Sequence, residues 1–532
     1  VATGEYEAPA EPDQAPVWGL GRVAALEHPQ LWGGLVDLPV DAGPEEIDAL
    51  AGLLAAADGE DQLAIRPEGT FVRRLRRAGA GDPEAPAWQP RGTVLVTGGT
   101  GALGGQVARR LARAGAEHLV LVSRRGRSAP GLAELEAELT ELGARVTVAT
   151  CDLSDHADAA RLVGELEATE PRLRAVVHAS GVSASGPLAD TTFDELDRTA
   201  AGKVAGARHL DELLDRRRLD AVVHFSSIAG VWGVGEQACY AAANAYLDAL
   251  AQRRGAEGVR ALAIAWGPWD GGGMVDRASE EPMRRRGISL MAPDRAMRAM
   301  QQAMDQDTGA VTVADIAWEQ FVPAFTALRP NRFFEDLPEV RALAANTPDA
   351  GEDETRLAAL RDRLANLPAA DREPVLLDLV RTHAAVVLGH DGPAAIDVDR
   401  PFRDFGFDSL AAVELRNRLG RGTGLPLPAT VVFDHPTPAL LAAHLLTEAL
   451  PDDKSAELPS TAELDLLEAA LLARPADDVD RLRVVLRLEA LLTRHRGGDG
   501  DHEATFDDLR DQLSKASNEE LFDVIDRDLG LS

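Results

Sequence analysis

Four polar side chains in this 532-residue chain are of types that acid–base chemistry at an oxygen can use. The stretch CYAAANAYLDAL, Cys239 to Leu250, reads as a helix, so Tyr240 and Asn244, four residues apart, share a face. Ser227 ends the apolar run AVVHFSS thirteen residues before Tyr240. The chain has only three lysines, Lys203, Lys454 and Lys515, and uses arginine almost everywhere else. One lysine in the first 450 residues invites a chemical reason, because an ammonium has a tunable pKa and a guanidinium does not. Lys203 lies in RTAAGKVAGARHL, a helical stretch before AVVHFSS. A phenol, a hydroxyl, an amide and an ammonium can together protonate an oxygen and stabilise charge developing on it. Each also has a plainer structural reading: Ser227 a strand-end turn, Tyr240 a helix-start aromatic, Asn244 a polar helix position, Lys203 a solvated charge.

Upstream, GGTGALG carries Gly99-x-Gly101-x-x-Gly104 directly after a strand and before a helix, with Gly98, Thr100 and Leu103 in the same turn. Glycines permit the tight turn and let backbone amides approach a pyrophosphate at the helix start. In a chain with 48 glycines an ordinary loop is the alternative, and the strand–loop–helix setting favours a dinucleotide. The next strand ends at Ser123, Arg124 and Arg125, where an NAD-selective site would place an acid. Guanidinium groups there suit a 2′-phosphate, hence NADPH over NADH; the alternative is a pair of solvated arginines. The third strand closes with Cys151, Asp152 and Leu153, and Asp152 either contacts adenine or caps the next helix. Ala179, Ser180 and Gly181, at the end of RAVVHASG, complete the expected cofactor contacts.

The elements that must position these residues alternate from Thr93 onward: TVLVTG, a helix, HLVLVS, a helix, RVTVATCD, then RAVVHASG, AVVHFSS, a helix and RALAIAWGP. This pattern predicts an α/β fold with a doubly wound parallel sheet. Residues 1 to about 90 read as short strands and turns without a complete domain pattern, as if the natural N-terminus lay upstream of Val1. A Pro- and acid-rich stretch from Asp336 to Glu354 marks a boundary. An all-helical segment to about Leu450, the polar linker PDDKSAELPS and a Leu-rich helical region follow. There are no tandem repeats.

Composition narrows the function. With 45% hydrophobic residues and no apolar run of membrane-spanning length, the chain reads as globular, without signal peptide or anchor. Cys151 and Cys239 are too few for a disulfide framework or a Cys-based metal site, so no metal is expected and a cytoplasmic setting fits. A net charge of −32 argues against nucleic acid and anionic lipid as partners.

The set Lys203, Ser227, Tyr240 and Asn244 resembles the active site of the ketoreductase domain of a modular type I polyketide synthase, a relative of the short-chain dehydrogenase/reductases with their Rossmann-type fold. In that family lysine and asparagine exchange the places they hold in ordinary short-chain dehydrogenases, which accounts for Asn244 four residues after the tyrosine. The resemblance implies Tyr240 as proton donor and Ser227 as hydrogen-bond donor to the substrate oxygen. It implies Lys203 lowering the tyrosine pKa and holding the nicotinamide ribose, and Asn244 orienting the lysine or a relay water. Two further positions imply product configuration: Trp232, eight residues before Tyr240, is similar to the marker of A-type reductases, which give an L-configured β-hydroxyl. Leu-Asp-Asp, the mark of the other subtype, is missing from GVSASGPLAD, and Gln237 in place of histidine points to the A1 class. Simple packing of a loop aromatic is the alternative for Trp232. The Gly-rich segment from Trp266 reads as a mobile lid or an ordinary surface loop.

In FRDFGFDSLAAVELRNRLG, Ser409 begins a helix whose apolar positions Ala412, Leu415 and Leu419 follow i, i+3, i+7. Asp-Ser-Leu alone is often only a cap, but the longer string resembles the 4′-phosphopantetheine site of an acyl carrier protein over about residues 370 to 448. That resemblance implies Ser409 as the attachment site, loaded by a phosphopantetheinyl transferase, with Asp408 and Glu414 offering charge to partners or simply solvated. Leu464, Leu467 and Leu471, then Val479, Leu482 and Leu486, make thin apolar stripes that need a partner, economically a homodimer. The final helix, with Leu521, Val524, Ile525 and Leu529 on one face, resembles the docking element that passes an acyl chain to the next polyketide synthase polypeptide; folding back on its own chain is the alternative.

The expected layout is the remainder of a ketoreductase structural subdomain at 1–90 and catalytic ketoreductase at 91–335. A linker at 336–369, the carrier at 370–448, a linker at 449–460 and a dimerisation and docking region at 461–532 follow. Ketosynthase and acyltransferase domains of the same module would be upstream partners. The competing function is a reductase-fold scaffold with a carrier and docking role only.

Overall fold

The computed structural model describes residues 3, 11–55, 59–79, 87–182, 185–215, 218–272, 277–306, 309–326, 329–345, 350–388, 390, 392–405, 407, 409–428 and 430–450. Its centre is a parallel sheet of seven strands: β1 Thr93–Thr97, β2 His118–Ser123, β3 Arg145–Thr150, β4 Leu173–His178, β5 Ala221–Ser227, β6 Ala261–Trp266 and β7 Ala310–Val313. Their order across the sheet is β7-β6-β5-β4-β1-β2-β3, every neighbouring pair parallel. The order reverses between β1 and β4, and a crevice opens there beyond the strand ends.

Both faces of this sheet are covered, which is why its strands read as apolar runs rather than alternations. On one side α1 (Ala102–Arg113), α2 (Leu132–Glu141) and α7 (Pro293–Gln306) pack Leu111, Leu135 and Met297 against Val94, Val96 and Leu121. On the other, α3 (His156–Glu167) and α5 (Gly206–Leu213) pack Leu162 and Leu210 against Leu95, Val120 and Val176. α4 (Phe193–Ala200) runs through a π-helical turn, Ala201–Ala205, into α5. α6 (Ala238–Ala256) buries Ala241, Asn244, Leu247 and Ala251 beneath the sheet's active end.

The first segment is more structured than turns and short strands. APVWGLGRVAALE forms a helix, Ala15–Glu27, with Pro16 in its first turn, where proline is accommodated, and despite Gly19 and Gly21. Its glycines serve packing: a Cβ on Gly19 would lie 2.4 Å from the Ala241 carbonyl oxygen of α6. Tertiary contact therefore overrides weak helix propensity. The strands Leu35–Asp37, Gln62–Arg66 and Gly69–Val72 form a separate three-stranded sheet.

The stretch expected to be a linker is helical at either end. Pro338–Ala345 and the residues before it place Phe333, Phe334, Leu337 and Val340 in an aromatic-rich cluster around Trp232. Ala350–Ala365 gives Leu364 to the core of a helical bundle formed with Ala369–Leu388, Ser409–Thr423, Val431–Asp434 and Pro438–Ala449. In that bundle Ala412, Leu415 and Leu419 are buried against Leu376, Val380, Leu441 and Leu445, the face the spacing after Ser409 predicts. The expected dimerisation and docking helices at 461–532 lie outside the described residues. Among the described residues no helix is long and apolar enough to cross a membrane.

Candidate active site

The end of β5 gathers the reactive groups. Three consecutive residues face three partners: the Phe225 carbonyl accepts from Lys203 Nζ at 2.7 Å, the Ser226 hydroxyl donates to the Asn244 carbonyl at 3.3 Å, and Ser227 leads into the short helix Ile228–Trp232. Ser227 caps that helix, its Oγ accepting from the Ala229 N–H at 3.3 Å. The strand-end turn and the proposed chemistry thus use the same residue. Tyr240 and Asn244 come in on α6, and Asn244 Nδ2 donates to the Tyr240 carbonyl at 2.7 Å, one turn back. Asn244 Oδ1 is shut off from solvent and has no hydrogen-bond partner among the described residues.

Lys203 is not a solvated charge. It is 3% exposed and sits in the π-helical turn, a distortion of the kind found at functional sites. Its backbone carbonyl is bonded to His178 Nε2 at 3.0 Å, and Thr97 Oγ1 meets His178 Nδ1 at 2.9 Å, which ties the turn to β4 and β1. Gly181 leaves room for the lysine stem: a Cβ there would come within 2.6 Å of Lys203 Cε. Burial pushes the ammonium down to about 8, with the Asp248 carboxylate pulling the other way. Burial likewise raises the Tyr240 phenol, while the side chains of Asn244 and Ser227 oppose the rise.

Beside this group lies a cleft of about 770 Å³ at the switch between β1 and β4. Gly98, Thr100, Gly101, Leu103, Gly104, Ser123, Arg124, Arg125, Cys151, Asp152, Leu153, Ala179, Ser180 and Gly181 all line it. Gly99 does not: it is buried beneath the loop, where a Cβ would press on the Val96 carbonyl and Leu121. Gly98 has φ +64°, and a Cβ on Gly104 would stand 2.2 Å from the Gly98 oxygen, so the loop closes onto α1 only with glycine. Asp152 is not the cap of α3; Asp155 is, accepting from the Asp158 N–H at 2.9 Å, while Asp152 accepts from Ser154. Sequence reasoning missed Arg198, Ala201 and Gly202, which also line the cleft from the segment that carries Lys203. Their position beside that lysine was the signal available.

Trp232 is 4% exposed and packs edge-on against Phe321 and Phe334, ring centroids 5.7 Å away in each case. It also lines a second pocket of about 260 Å³ with Gly233, Val234, Ile288 and Phe321, whose other walls carry Arg22, Asp61 and Arg329. Gln237 precedes α6 without capping it. In the bundle Ser409 is the first residue of its helix, and Glu414 pairs with Arg418 at 2.9 Å. Among the described residues no cluster of His, Cys, Asp and Glu is arranged for a metal ion.

Four protein families match successive segments of the chain. The KR domain family matches residues 92–271 and the phosphopantetheine attachment site family residues 378–445. The Rossmann fold domain of polyketide synthase extender module SpnB matches residues 1–75, and the erythronolide synthase docking family residues 451–511. The pikromycin polyketide synthase component PikAIII of Streptomyces venezuelae is 47% identical over 528 residues, 96% of this chain and 34% of the relative. The chain belongs to the modular polyketide synthases. Erythronolide synthase EryA3 of Saccharopolyspora erythraea is 49% identical over 84% of this chain and 13% of its own length. The chain thus spans about a third of the first of these relatives and about an eighth of the second. A solved A1-type ketoreductase is 48% identical, covers 64% of this chain and 72% of its own, and superposes with a TM-score of 0.62.

A polyketide synthase ketoreductase uses NADPH, and the carrier segment bears 4′-phosphopantetheine. The glycine turn that a Cβ would fill, the start of α1 and the exposed Arg124 and Arg125 fit an adenine dinucleotide with a 2′-phosphate.

Proposed function

We propose that this chain reduces the β-keto group of an acyl thioester carried on Ser409 to an L-configured β-hydroxyl, as an A1-type reductase, and passes the product to the next polyketide synthase polypeptide. The observation that carries the reading is the convergence of Lys203, Ser227, Tyr240 and Asn244 at the end of β5 beside the glycine-loop cleft. Bound NADPH supplies the hydride. Gly98, Thr100, Gly101, Leu103 and Gly104, which line the cleft, would hold its pyrophosphate, and Arg124 and Arg125 its 2′-phosphate. Tyr240 gives its proton to the oxygen as negative charge develops there, and its burial keeps that proton in place at neutral pH. The Ser227 hydroxyl donates to the same oxygen. Lys203 places a buried positive charge beside the phenol, which steadies the phenolate left after proton transfer.

The A-type assignment rests on the indole of Trp232, eight residues before Tyr240 at the end of the short helix that follows Ser227, where it would restrict the face on which a thioester can lie. Overall similarity alone does not separate the classes: a solved C2-type ketoreductase is 45% identical, against 48% for the A1-type. We divide the chain into structural subdomain, ketoreductase, carrier and docking region, and assign homodimerisation and the downstream contact to residues 461–532. Ketosynthase and acyltransferase domains upstream would supply the β-keto chain, and a phosphopantetheinyl transferase would load Ser409.

The test is NADPH oxidation with a small α-methyl-β-keto thioester, followed by chiral separation of the products. Turnover with an L-hydroxy product bears out the reading, and a D-hydroxy product removes only the A-type assignment. No oxidation, even with substrate tethered to Ser409, makes the reductase fold a scaffold.

A further inference from the structure

The helix Ile228–Trp232 has Ser227 as its cap at one end and Trp232 at the other, and it is five residues long. So short a helix does not hold its own position. Its last carbonyls have no donor within it, and Gly233, at φ +85°, turns the chain away after Trp232. Gly230, Val231 and Trp232 are all buried, so these carbonyls need donors from the protein.

The donors come from far upstream. Arg22, in the helix Ala15–Glu27 and 8% exposed, gives an N–H to the Gly230 carbonyl. Arg73, just after the strand Gly69–Val72, gives Nη1 to the Val231 carbonyl at 2.5 Å. Gln62 Oε1 joins the pair, accepting from Arg22 Nε at 2.9 Å and from Arg73 Nη1 at 3.4 Å. Backbone packing repeats the grip: a Cβ on Gly233 would lie 2.8 Å from the Arg22 carbonyl oxygen, and one on Gly230 would lie 3.0 Å from Asn244 Cβ. The short helix is thus wedged between the first segment and α6.

Arg73 also reaches the far side of Trp232. Its guanidinium lies over the Phe333 ring, 4.5 Å from the centroid, and the Leu75 N–H donates to the Phe333 carbonyl at 2.8 Å. Phe333 packs against Phe334 with centroids 4.9 Å apart, and Phe334 is one of the two rings on which Trp232 rests. One guanidinium therefore holds both the residue next to Trp232 and the aromatic wall that its indole meets. Arginine suits this place because it offers donors in its plane and a flat face for a ring at once, which lysine does not.

We propose that Arg73, backed by Arg22, is a positioning residue that fixes the indole of Trp232, so that the first segment of the chain helps to set the configuration of the product. The consequence for configuration rests on the reading of Trp232 as the A-type determinant; the positioning rests on the contacts alone.

The test uses the full chain labelled with fluorotryptophan, whose seven tryptophans give fluorine resonances, the one lost in Trp232→Phe being assigned to Trp232. Arg73→Met keeps an apolar stem and leaves the Val231 carbonyl without its donor. It should shift or split the Trp232 resonance. It should also raise the ratio of minor to major hydroxy isomer at least about tenfold, less than the worth of one charged hydrogen bond. NADPH affinity should not change, because neither arginine lines the cofactor cleft. Arg73→Lys, with a donor but no planar fork, should fall between. An arginine that served stability alone would lower the melting temperature and the rate with resonance and isomer ratio unmoved. A folded Arg73→Met with the wild-type resonance overturns the proposal, as does a wild-type isomer ratio where Trp232→Ala alters it. Arg73→Lys decides by the same readouts if Arg73→Met does not fold. If Trp232→Ala leaves the ratio unchanged, or the chain oxidises no NADPH, the reading of Trp232 or of the reductase fails, and the resonance still decides whether Arg73 positions the indole.

Discussion

Lys203 Nζ sits over the ring of Tyr240, 5.4 Å from its centroid, while donating its hydrogen bond to the Phe225 carbonyl. The lysine thus acts on the tyrosine as a nearby charge, and the phenol keeps its hydroxyl for Ser227, Asn244 and the substrate. Removing that hydroxyl leaves the ring, its packing and its cation contact in place. Tyr240→Phe should lower kcat by about 10²- to 10⁴-fold. Its NADPH affinity, read by cofactor fluorescence, should stay at the wild-type value, because Tyr240 is not among the residues lining the cofactor cleft. A parallel loss of NADPH binding would show that the cleft and the proton donor are not separate.

The pH dependence follows from the direction of the Lys203 shift. Burial brings its pKa down to about 8, so the ammonium is charged below that pH and loses its proton as pH rises through it. Tyr240 is shifted upward and keeps its proton over the same range. Between pH 6 and 8 the reduction rate at saturating NADPH should therefore be level, and above about 8 it should fall about tenfold per pH unit. His178 and His224 are already neutral there and add no step. A decline beginning only near the ordinary lysine value would remove Lys203 from the chemistry.

Gly104 is the tightest point of the cofactor loop. A methyl group 2.2 Å from the Gly98 oxygen cannot be relieved by a side-chain rotation, since the neighbour is backbone. Gly104→Ala should push α1 away from β1 and weaken NADPH binding by at least about tenfold, equivalent to about 1.4 kcal/mol. Loading of Ser409, followed by intact mass, should be unaffected.

How much of this was legible in the sequence depended on whether the determining contacts were local. The strands from Thr93 announce themselves because burial on both faces makes them continuous apolar runs. The pairing of Lys203 with Tyr240 is not written in any spacing; the rarity of lysine drew attention to it, and a family resemblance completed it. The π-helical turn that aims Lys203 left no pattern to read, and neither did the His178 and Thr97 bonds that hold it. Gly99 was grouped with the cofactor loop because the motif includes it, yet it packs inward on Leu121. The helix Ala15–Glu27 was missed because its glycines look like turn residues until α6 is placed against them.

Arg124 and Arg125 are exposed at the mouth of the cleft, with Ser123 where an acid would otherwise repel a phosphate. Ser123 Oγ accepts from the Gly126 N–H at 3.1 Å and shapes the turn instead. A charged hydrogen bond to the 2′-phosphate is worth about 1.5–3 kcal/mol. Replacing both arginines with alanine should cut the preference for NADPH over NADH by at least about tenfold, through the NADPH term alone. Competition between the two cofactors measures this, and an unchanged ratio would make the pair solvated charges.

Glu27 ties the first segment to the rim of the site. One carboxylate oxygen accepts from the Leu188 N–H and the other from the Glu236 N–H, each at 2.7 Å. The Gly186 N–H in turn donates to the Glu236 carbonyl at 2.9 Å, and Glu236 has a left-handed φ of +64°, unusual for a residue with a side chain. A single carboxylate thus holds together two loops, one of which runs directly into Tyr240. Glu27→Ala frees both amides, each bond to a charged acceptor being worth about 1.5–3 kcal/mol. The thioester KM should rise about tenfold or more while the NADPH affinity stays unchanged, because neither loop's bonded residues line the cofactor cleft. Glu27→Gln retains one acceptor and should fall between the two. Equal losses in thioester and NADPH binding would instead indicate that Glu27 supports the whole domain rather than its substrate side.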